Sequence, residues 1–181
     1  PPTTRMEDEE GNMLLGISTA DANFRYQTDK FYRDNESTKF NMTQTLEATL
    51  FKGFKVKGTM AWSYSDQLYE GFDKDYYQNQ AETSINTSRY TKSTFKRTFN
   101  QTYNVVAMYD GQFGDHAVSA MAGMEYWDKK YRYLGADGKE APTDDFMDLE
   151  YTSKLEGKRG IDSEHTNERI LSYFGRAQYD Y

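Results

Sequence analysis

Hydrophobic and polar residues alternate with period two along much of this chain. The odd positions Lys39, Asn41, Thr43, Thr45, Glu47 and Thr49 are polar, and the even positions Phe40, Met42, Gln44, Leu46, Ala48 and Leu50 are mostly apolar. Successive side chains of a strand point to opposite faces, so this stretch predicts a strand with one polar and one largely apolar side. Phe51-Lys52-Gly53 follows as a short glycine-containing turn. Beyond it Phe54, Val56, Gly58, Met60, Trp62 and Tyr64 share one face, and Lys55, Lys57, Thr59, Ala61, Ser63 and Ser65 share the other. Two alternating runs around a tight turn predict a β-hairpin over 38–70. A second hairpin is predicted over 98–133. Its apolar faces are Phe99, Gln101, Tyr103, Val105, Ala107 and Tyr109, then Val118, Ala120, Ala122, Met124 and Tyr126, around a turn at 110–115. A last strand over 168–181 places Leu171, Tyr173, Gly175, Ala177 and Tyr179 on one face, and the alternation is still running at Tyr181.

The connections are unequal. Two are short turns, whereas 1–37, 71–97 and 134–167 are long and polar. Long loops without their own structure are uncommon in compact domains and are usually functional or disordered. Alternating runs of about 12–16 residues exceed the ~5–6 typical of soluble strands and suffice for the ~9–11 a membrane strand needs. Short turns at one end and long loops at the other is the asymmetry of an outer-membrane β-barrel. Aromatic residues gather where such a barrel meets its two interfaces. Leu50, Phe51, Phe54, Tyr109 and Phe113 flank the short turns, and Trp62, Tyr64, Tyr69, Tyr126, Trp127, Tyr131 and Tyr133 lie toward the loops. A soluble antiparallel sheet with one solvated face also alternates, so an extracellular β-sheet module that binds glycan stands as the alternative.

Composition sharpens this contrast. Leu, Ile, Val and Phe number 28 of 181 residues, a poverty usually seen in disordered chains, yet 29 residues are aromatic. That argues against both an ordinary globular core and a helix bundle. With no cysteine there is no disulfide framework and no thiolate metal site. A net charge of −7 makes nucleic acid an unsuitable partner. The acidity is local: residues 1–37 hold 8 acids and 4 bases and residues 134–167 hold 9 and 4, so the rest of the chain is slightly basic. No apolar run reaches the ~20 residues of a membrane helix, and Pro1-Pro2-Thr3-Thr4-Arg5 does not read as a signal peptide.

Four stretches resemble the SusC/RagA family of TonB-dependent outer-membrane transporters. Phe113-Gly114-Asp115-His116-Ala117-Val118-Ser119-Ala120, followed by Gly123-Met124-Glu125-Tyr126, is similar to a recurrent stretch of that family. Leu171-Ser172-Tyr173-Phe174-Gly175-Arg176-Ala177-Gln178-Tyr179-Asp180-Tyr181 resembles a family strand in which Asn usually stands where Gln178 is. Leu50-Phe51-Lys52-Gly53-Phe54-Lys55-Val56 is similar to a family hairpin, and Glu7-Asp8-Glu9-Glu10-Gly11-Asn12 to the loop before it. The resemblance implies an all-β fold: antiparallel strands of a transmembrane barrel of about 22 strands, of which this chain supplies about five. It implies long extracellular loops (1–37, 71–97, 134–167), short periplasmic turns and a place in the outer membrane of a Gram-negative bacterium. The implied activity is import of oligosaccharides or peptides, with a SusD-like surface lipoprotein closing over the cavity and TonB supplying energy through an N-terminal region. Neither plug nor TonB box is expected here, so the chain reads as a barrel fragment whose sheet edges need the remaining barrel to cover them.

No catalytic constellation or cofactor motif is present, and an enzyme is not expected. His116 and His165 stand apart, so no metal site is expected. Asp73-Lys74-Asp75 and Thr143-Asp144-Asp145 lack the ligand spacing of an EF-hand loop. The loop aromatics are the candidate contacts for substrate or partner, because rings offer large contact surfaces at little entropic cost. They are Phe72, Tyr76, Tyr77 and Tyr90 around the first long loop, and Tyr131, Tyr133, Phe146 and Tyr151 around the second.

Overall fold

The computed structural model describes residues 5–15, 23–79 and 81–181; Pro1-Pro2-Thr3-Thr4 and part of the 1–37 segment lie outside them. In chain order the elements are α1 (Phe24–Lys30), β1 (Phe31–Phe51), β2 (Phe54–Asp73), β3 (Tyr76–Tyr77), β4 (Ile85–Asn86), β5 (Thr91–Phe113), β6 (His116–Gly138) and β7 (Arg159–Asp180), with a 3-10 turn at Leu149–Tyr151. The five long strands form one antiparallel sheet in the order β1-β2-β5-β6-β7. Each long strand therefore pairs with the next one in the chain, and β3 with β4 makes a separate small hairpin.

The strands run further than the alternation predicts. Residues 31–37, 91–97 and 159–167, read from sequence as loop, are strand, and the turn expected at 110–115 shrinks to Gly114-Asp115. In the extended strand ends both faces are polar, so the period-two signal fades. The ladder persists there because backbone hydrogen bonds do not depend on side-chain polarity. Gly114 (φ +65°) occupies the first of two turn residues, where a type II′ hairpin takes glycine. Gly53 is more constrained. Its φ is +84°, Asp110 N–H donates to its carbonyl at 2.8 Å, and a Cβ there would collide with the Asp110 carbonyl oxygen.

The chain divides into two compact units. The sheet unit, 37–66, 96–132 and 164–181, contains both short turns. Its cross-strand contacts reveal which positions share a side. On one side Trp62 Nε1 donates to Tyr103 Oη at 3.1 Å, the Tyr64–Phe99 and Tyr103–Tyr126 rings pair at 6.4 Å, and Arg169 meets Asp128 at 3.5 Å. On the other Thr45 meets Thr59 at 3.4 Å, Asn104 donates to Glu125 at 3.3 Å, and the Phe174 ring covers Gly123. The first side thus gathers all five predicted apolar faces: Phe40 to Leu50, Phe54 to Tyr64, Phe99 to Tyr109, Val118 to Tyr126 and Leu171 to Tyr179, taking alternate residues. None of these 28 positions is Asp, Glu, Lys or Arg, although charged residues make up 28% of the chain and about 8 would be expected by composition. Among the described residues no second layer packs against this side. Leu46 is 78% exposed and Tyr173 74%, and the buried hydrophobic residues among those described, Tyr26, Phe72 and Ala141, all belong to the other unit.

The loop unit, 1–36, 67–95 and 133–163, holds α1, β3, β4 and the long connections. Asn23 caps α1 by accepting from Arg25 N–H at 3.0 Å, while its amide donates to the carbonyls of Met6 and Leu14. Buried Tyr26 accepts from Tyr77 N–H through its hydroxyl at 2.9 Å and so pins the β3–β4 hairpin. Arg89, strained at φ +39°, donates to Asp75 at 2.6 Å and to the carbonyls of Ala141 and Pro142 at 3.0 Å. Asp144 accepts from Asp75 N–H at 2.9 Å and lies 3.4 Å from Arg89 Nε. One guanidinium therefore ties the 74–90 connection to the 139–158 connection.

Two outcomes are expected. Gly53→Ala should lower the urea midpoint of the folded sheet in detergent, by about 1–3 kcal/mol of strain. Gly58→Ala, whose added methyl meets nothing within 4 Å, should leave it near its original value. Arg89→Ala should raise the rate of tryptic cleavage at Lys154 and Lys158 by about tenfold or more, since a hydrogen bond to a charged group contributes about 1.5–3 kcal/mol; unchanged cleavage would show that other contacts hold the loops.

Candidate functional site

The loop unit places seven of the eight aromatic candidates, and in different roles. Phe72 is 1% exposed. It closes β2 as a buried ring rather than the open loop aromatic expected from sequence, and it contributes to the wall of a cleft. Phe72 and the 147–149 segment line the same cleft, and no periodicity in the sequence signals burial at this strand end. Tyr76 is half-buried, its ring edge-on to Phe31 at 4.8 Å and its hydroxyl accepting from Asn86 at 3.1 Å. Tyr90 is also half-buried. Burial, with the charges of Asp137 and Asp73 added, pushes its phenol up, so it stays a neutral hydroxyl at ordinary pH. Tyr133 lies over Gly135. Tyr77, Phe146 and Tyr151 remain exposed, at 36%, 43% and 48%, and the rings of the last two meet at a tilt of 39° with centroids 4.8 Å apart. Tyr131 is half-buried on the β6 stretch of the sheet unit.

A cleft of about 310 Å³ in the loop unit is lined by Tyr32, Glu70, Phe72, Thr91, Lys92, Met147 and Asp148. It is at the small end of ligand pockets, which span roughly 300–1,000 Å³. Thr91 Oγ1 donates to the Met147 carbonyl at 3.1 Å, holding one wall. Three of the four carboxylates weighed as cation ligands are otherwise engaged. Asp73 binds Arg33, Asp75 binds Arg89, and Asp144 accepts from the Asp75 amide. Among the described residues no three Asp, Glu or His side chains converge as a metal site would require. Glu140, with φ +62°, accepts from Lys158, and that hydrogen bond holds its carboxyl below the usual carboxylate range. The 139–158 connection is thus internally bonded around Glu140 and Thr152, and Arg159 at the start of β7 donates to the carbonyls of Thr152 and, at 2.9 Å, Glu150.

Sequence reading missed Arg89 and Tyr26, which organise the unit through polar bonds between distant segments and leave no local signal. It also passed over one signal that is present. Tyr69-x-Gly71, Tyr109-x-Gly111 and Tyr133-x-Gly135 each place a tyrosine ring over the glycine two residues on, where a Cβ would meet the ring. The glycine is the space the ring needs.

No family model matches this sequence, and no curated protein matches it. Solved structures do. The chain is similar to one chain in the structure of the RagAB peptide transporter, with 17% identity and a TM-score of 0.80 over 96% of this chain and 20% of that one. The RagAB peptide importer in its "closed-closed" state gives 17% and 0.79, again over 96% and 20%. In its "open-open" state the values are 16% and 0.81, over 96% and 19%. The chain therefore spans about a fifth of the length of the chains it matches. At this identity the likeness is one of fold: five antiparallel strands of an all-β barrel, a sheet that does not close on itself within this chain.

Proposed function

We propose that this chain is a wall segment of a SusC/RagA-type outer-membrane transporter barrel. The observation that carries the reading is the charge-free side of the sheet. On β1, β2 and β5 that side runs from Phe40 to Leu50, Phe54 to Tyr64 and Phe99 to Tyr109. At about 3.3 Å per residue and a tilt near 45°, each run rises roughly 23 Å, close to the ~25 Å apolar band of such barrels. Aromatic rings stand at both limits: Phe40, Tyr64, Phe99 and Tyr126 toward the loops, and Phe54, Tyr109 and Tyr179 toward the turns. The opposite side, with Glu47 and Lys55 at 3.6 Å and Asn104 on Glu125, suits a water-filled lumen. Strands β1 and β7, each with a neighbour on one side only, pair with the adjoining strands of the same barrel.

In this reading the long connections lie outside the cell. Their exposed rings, Tyr77, Phe146 and Tyr151, together with the half-buried Tyr76, Tyr90, Tyr131 and Tyr133, meet either the substrate or a SusD-like lipoprotein. TonB drives import through parts of the protein outside this chain. The substrate is an oligosaccharide or a peptide, and the fold shared with a structure described as a peptide transporter favours the peptide.

The protein is expected to fractionate with the outer membrane and to need detergent for extraction. Recovery as a soluble species that melts cooperatively in plain buffer would favour the glycan-binding module instead. Within the barrel, Leu46→Arg should destabilise by about 2–4 kcal/mol, as for a cation near the bilayer midplane, while Thr45→Arg next to it should change stability by a few tenths. Similar losses at both positions, measured by urea unfolding in lipid vesicles, would contradict a one-sided membrane contact.

A further inference from the structure

The charge-free side ends abruptly. On β6 it reaches Tyr126, and the next residues on the same side are Asp128, Lys130 and Arg132. On β7 the residues that precede Leu171 on that side are Arg169, Asn167 and His165. Three contacts fix the register of these two strands: Asp128 with Arg169, Lys129 with Glu168, and Phe174 over Gly123. They place Lys130 beside Asn167 and Arg132 beside His165. On the other flank, Tyr103 against Tyr126 and Asn104 against Glu125 place Phe99 beside Lys130 and Arg97 beside Arg132. All of these residues belong to the sheet unit.

The carboxylates of this row are engaged through one oxygen each, and Oδ1 of Asp128 has no hydrogen-bond partner. Asp128 is 6% exposed and lies between Arg169 at 3.5 Å and the Tyr126 hydroxyl at 3.4 Å. Asp66 accepts from Tyr64 at 2.8 Å, and Arg97 lies 5.8 Å from the centre of that same tyrosine ring. Lys130 and Arg132 are exposed and have no ion-pair partner among the described residues. The Arg169 side chain is 64% exposed. Lys130 and Arg132 stand about 7 Å apart along the strand, with Arg169 one diagonal step away. Two uncompensated cations and a third, partly compensated one thus sit on the rim of an uncharged apolar surface.

We propose that Lys130, Arg132 and Arg169 bind the phosphate groups of an outer-leaflet membrane lipid, whose acyl chains lie on the apolar side next to them. This rests on reading that side as lipid-facing. The ligand chemistry follows from the arrangement: phosphate oxygens suit a guanidinium fork and an ammonium, and the adjoining Tyr126, Met124 and Phe99 offer hydrocarbon contact. A free phosphate would use the cations and leave the apolar surface idle.

The test uses the full-length protein in detergent, titrated with diphosphorylated lipid A, dephosphorylated lipid A and inorganic phosphate, and read by the rise in melting temperature. Tight binding is expected for the diphosphorylated lipid alone. The Lys130→Ala/Arg132→Ala variant should bind it about 25-fold more weakly, a factor of about five for each cation at an anionic surface. Lys130→Arg should bind like the original. The double variant leaves the Asp128–Arg169 pair in place, and its unchanged melting temperature without lipid confirms folding. Equal binding by the double variant, by the dephosphorylated lipid or by inorganic phosphate would overturn the site while leaving the membrane reading intact. If the unsubstituted protein stays monodisperse without any detergent, the membrane reading itself falls, and the lipid site with it.

Discussion

A one-layer sheet with a charge-free side must have that side covered, and no second layer among the described residues covers it. Phe40, Leu46, Leu50, Tyr173 and Tyr179, all more than half exposed, would together hold a large apolar area against water. Most of the structure follows from this constraint. In hydrocarbon every backbone N–H and C=O needs a partner within the protein. The strands accordingly run 20–23 residues, unbroken across the apolar rows, and turn in two residues at Gly53 and at Gly114. Within the strands of the sheet unit, charges reappear on that side only beyond the uncharged rows, at Asp66, Arg97, Asp128, Lys130, Arg132 and Arg169.

The loop unit answers a different problem. It is short of aliphatic residues, so hydrophobic burial cannot order its long connections. Named polar bonds do this instead. Asn23 joins α1 to the segment around Met6 and Leu14, the Tyr26 hydroxyl holds the β3–β4 hairpin, and Arg89 joins the two longest connections through Asp75, Ala141 and Pro142. Such bonds are directional, so they fix loop geometry where packing alone would leave several arrangements of similar energy. Exposed rings such as Tyr77, Phe146 and Tyr151 are then carried on an ordered base, which lowers the entropic cost of using them as contacts.

Much of the sheet was legible in the sequence because its determinant is local. Alternation at Phe40–Leu50 and at Phe99–Tyr109 follows directly from one face meeting an apolar medium, and the five faces predicted separately share one side in the structure. The strand ends were not legible, because Arg33, Asn35, Lys92 and Arg159 lie where both faces are polar and period two carries no signal. The roles of individual rings were not legible either. Phe72 and Tyr77 look alike in sequence, yet one is enclosed and the other partly open, a difference that no local periodicity signals. Arg89 is one arginine among many until the carbonyls it meets, more than fifty residues later, are in place.

The central claim is that the two sides of the sheet face different media, and it is tested most directly by a cysteine scan. This chain has no cysteine of its own, so single spin-labelled cysteines can be placed at 43–48 on β1 and at 102–107 on β5 of the protein in lipid vesicles. Collision rates with oxygen, which concentrates in lipid, and with a water-soluble nickel complex then report the surroundings of each site. The account predicts a period-two oscillation, with even positions of β1 and odd positions of β5 accessible to oxygen and shielded from nickel, and their neighbours the reverse. Nickel accessibility at every position, or oxygen accessibility without the alternation, would contradict it.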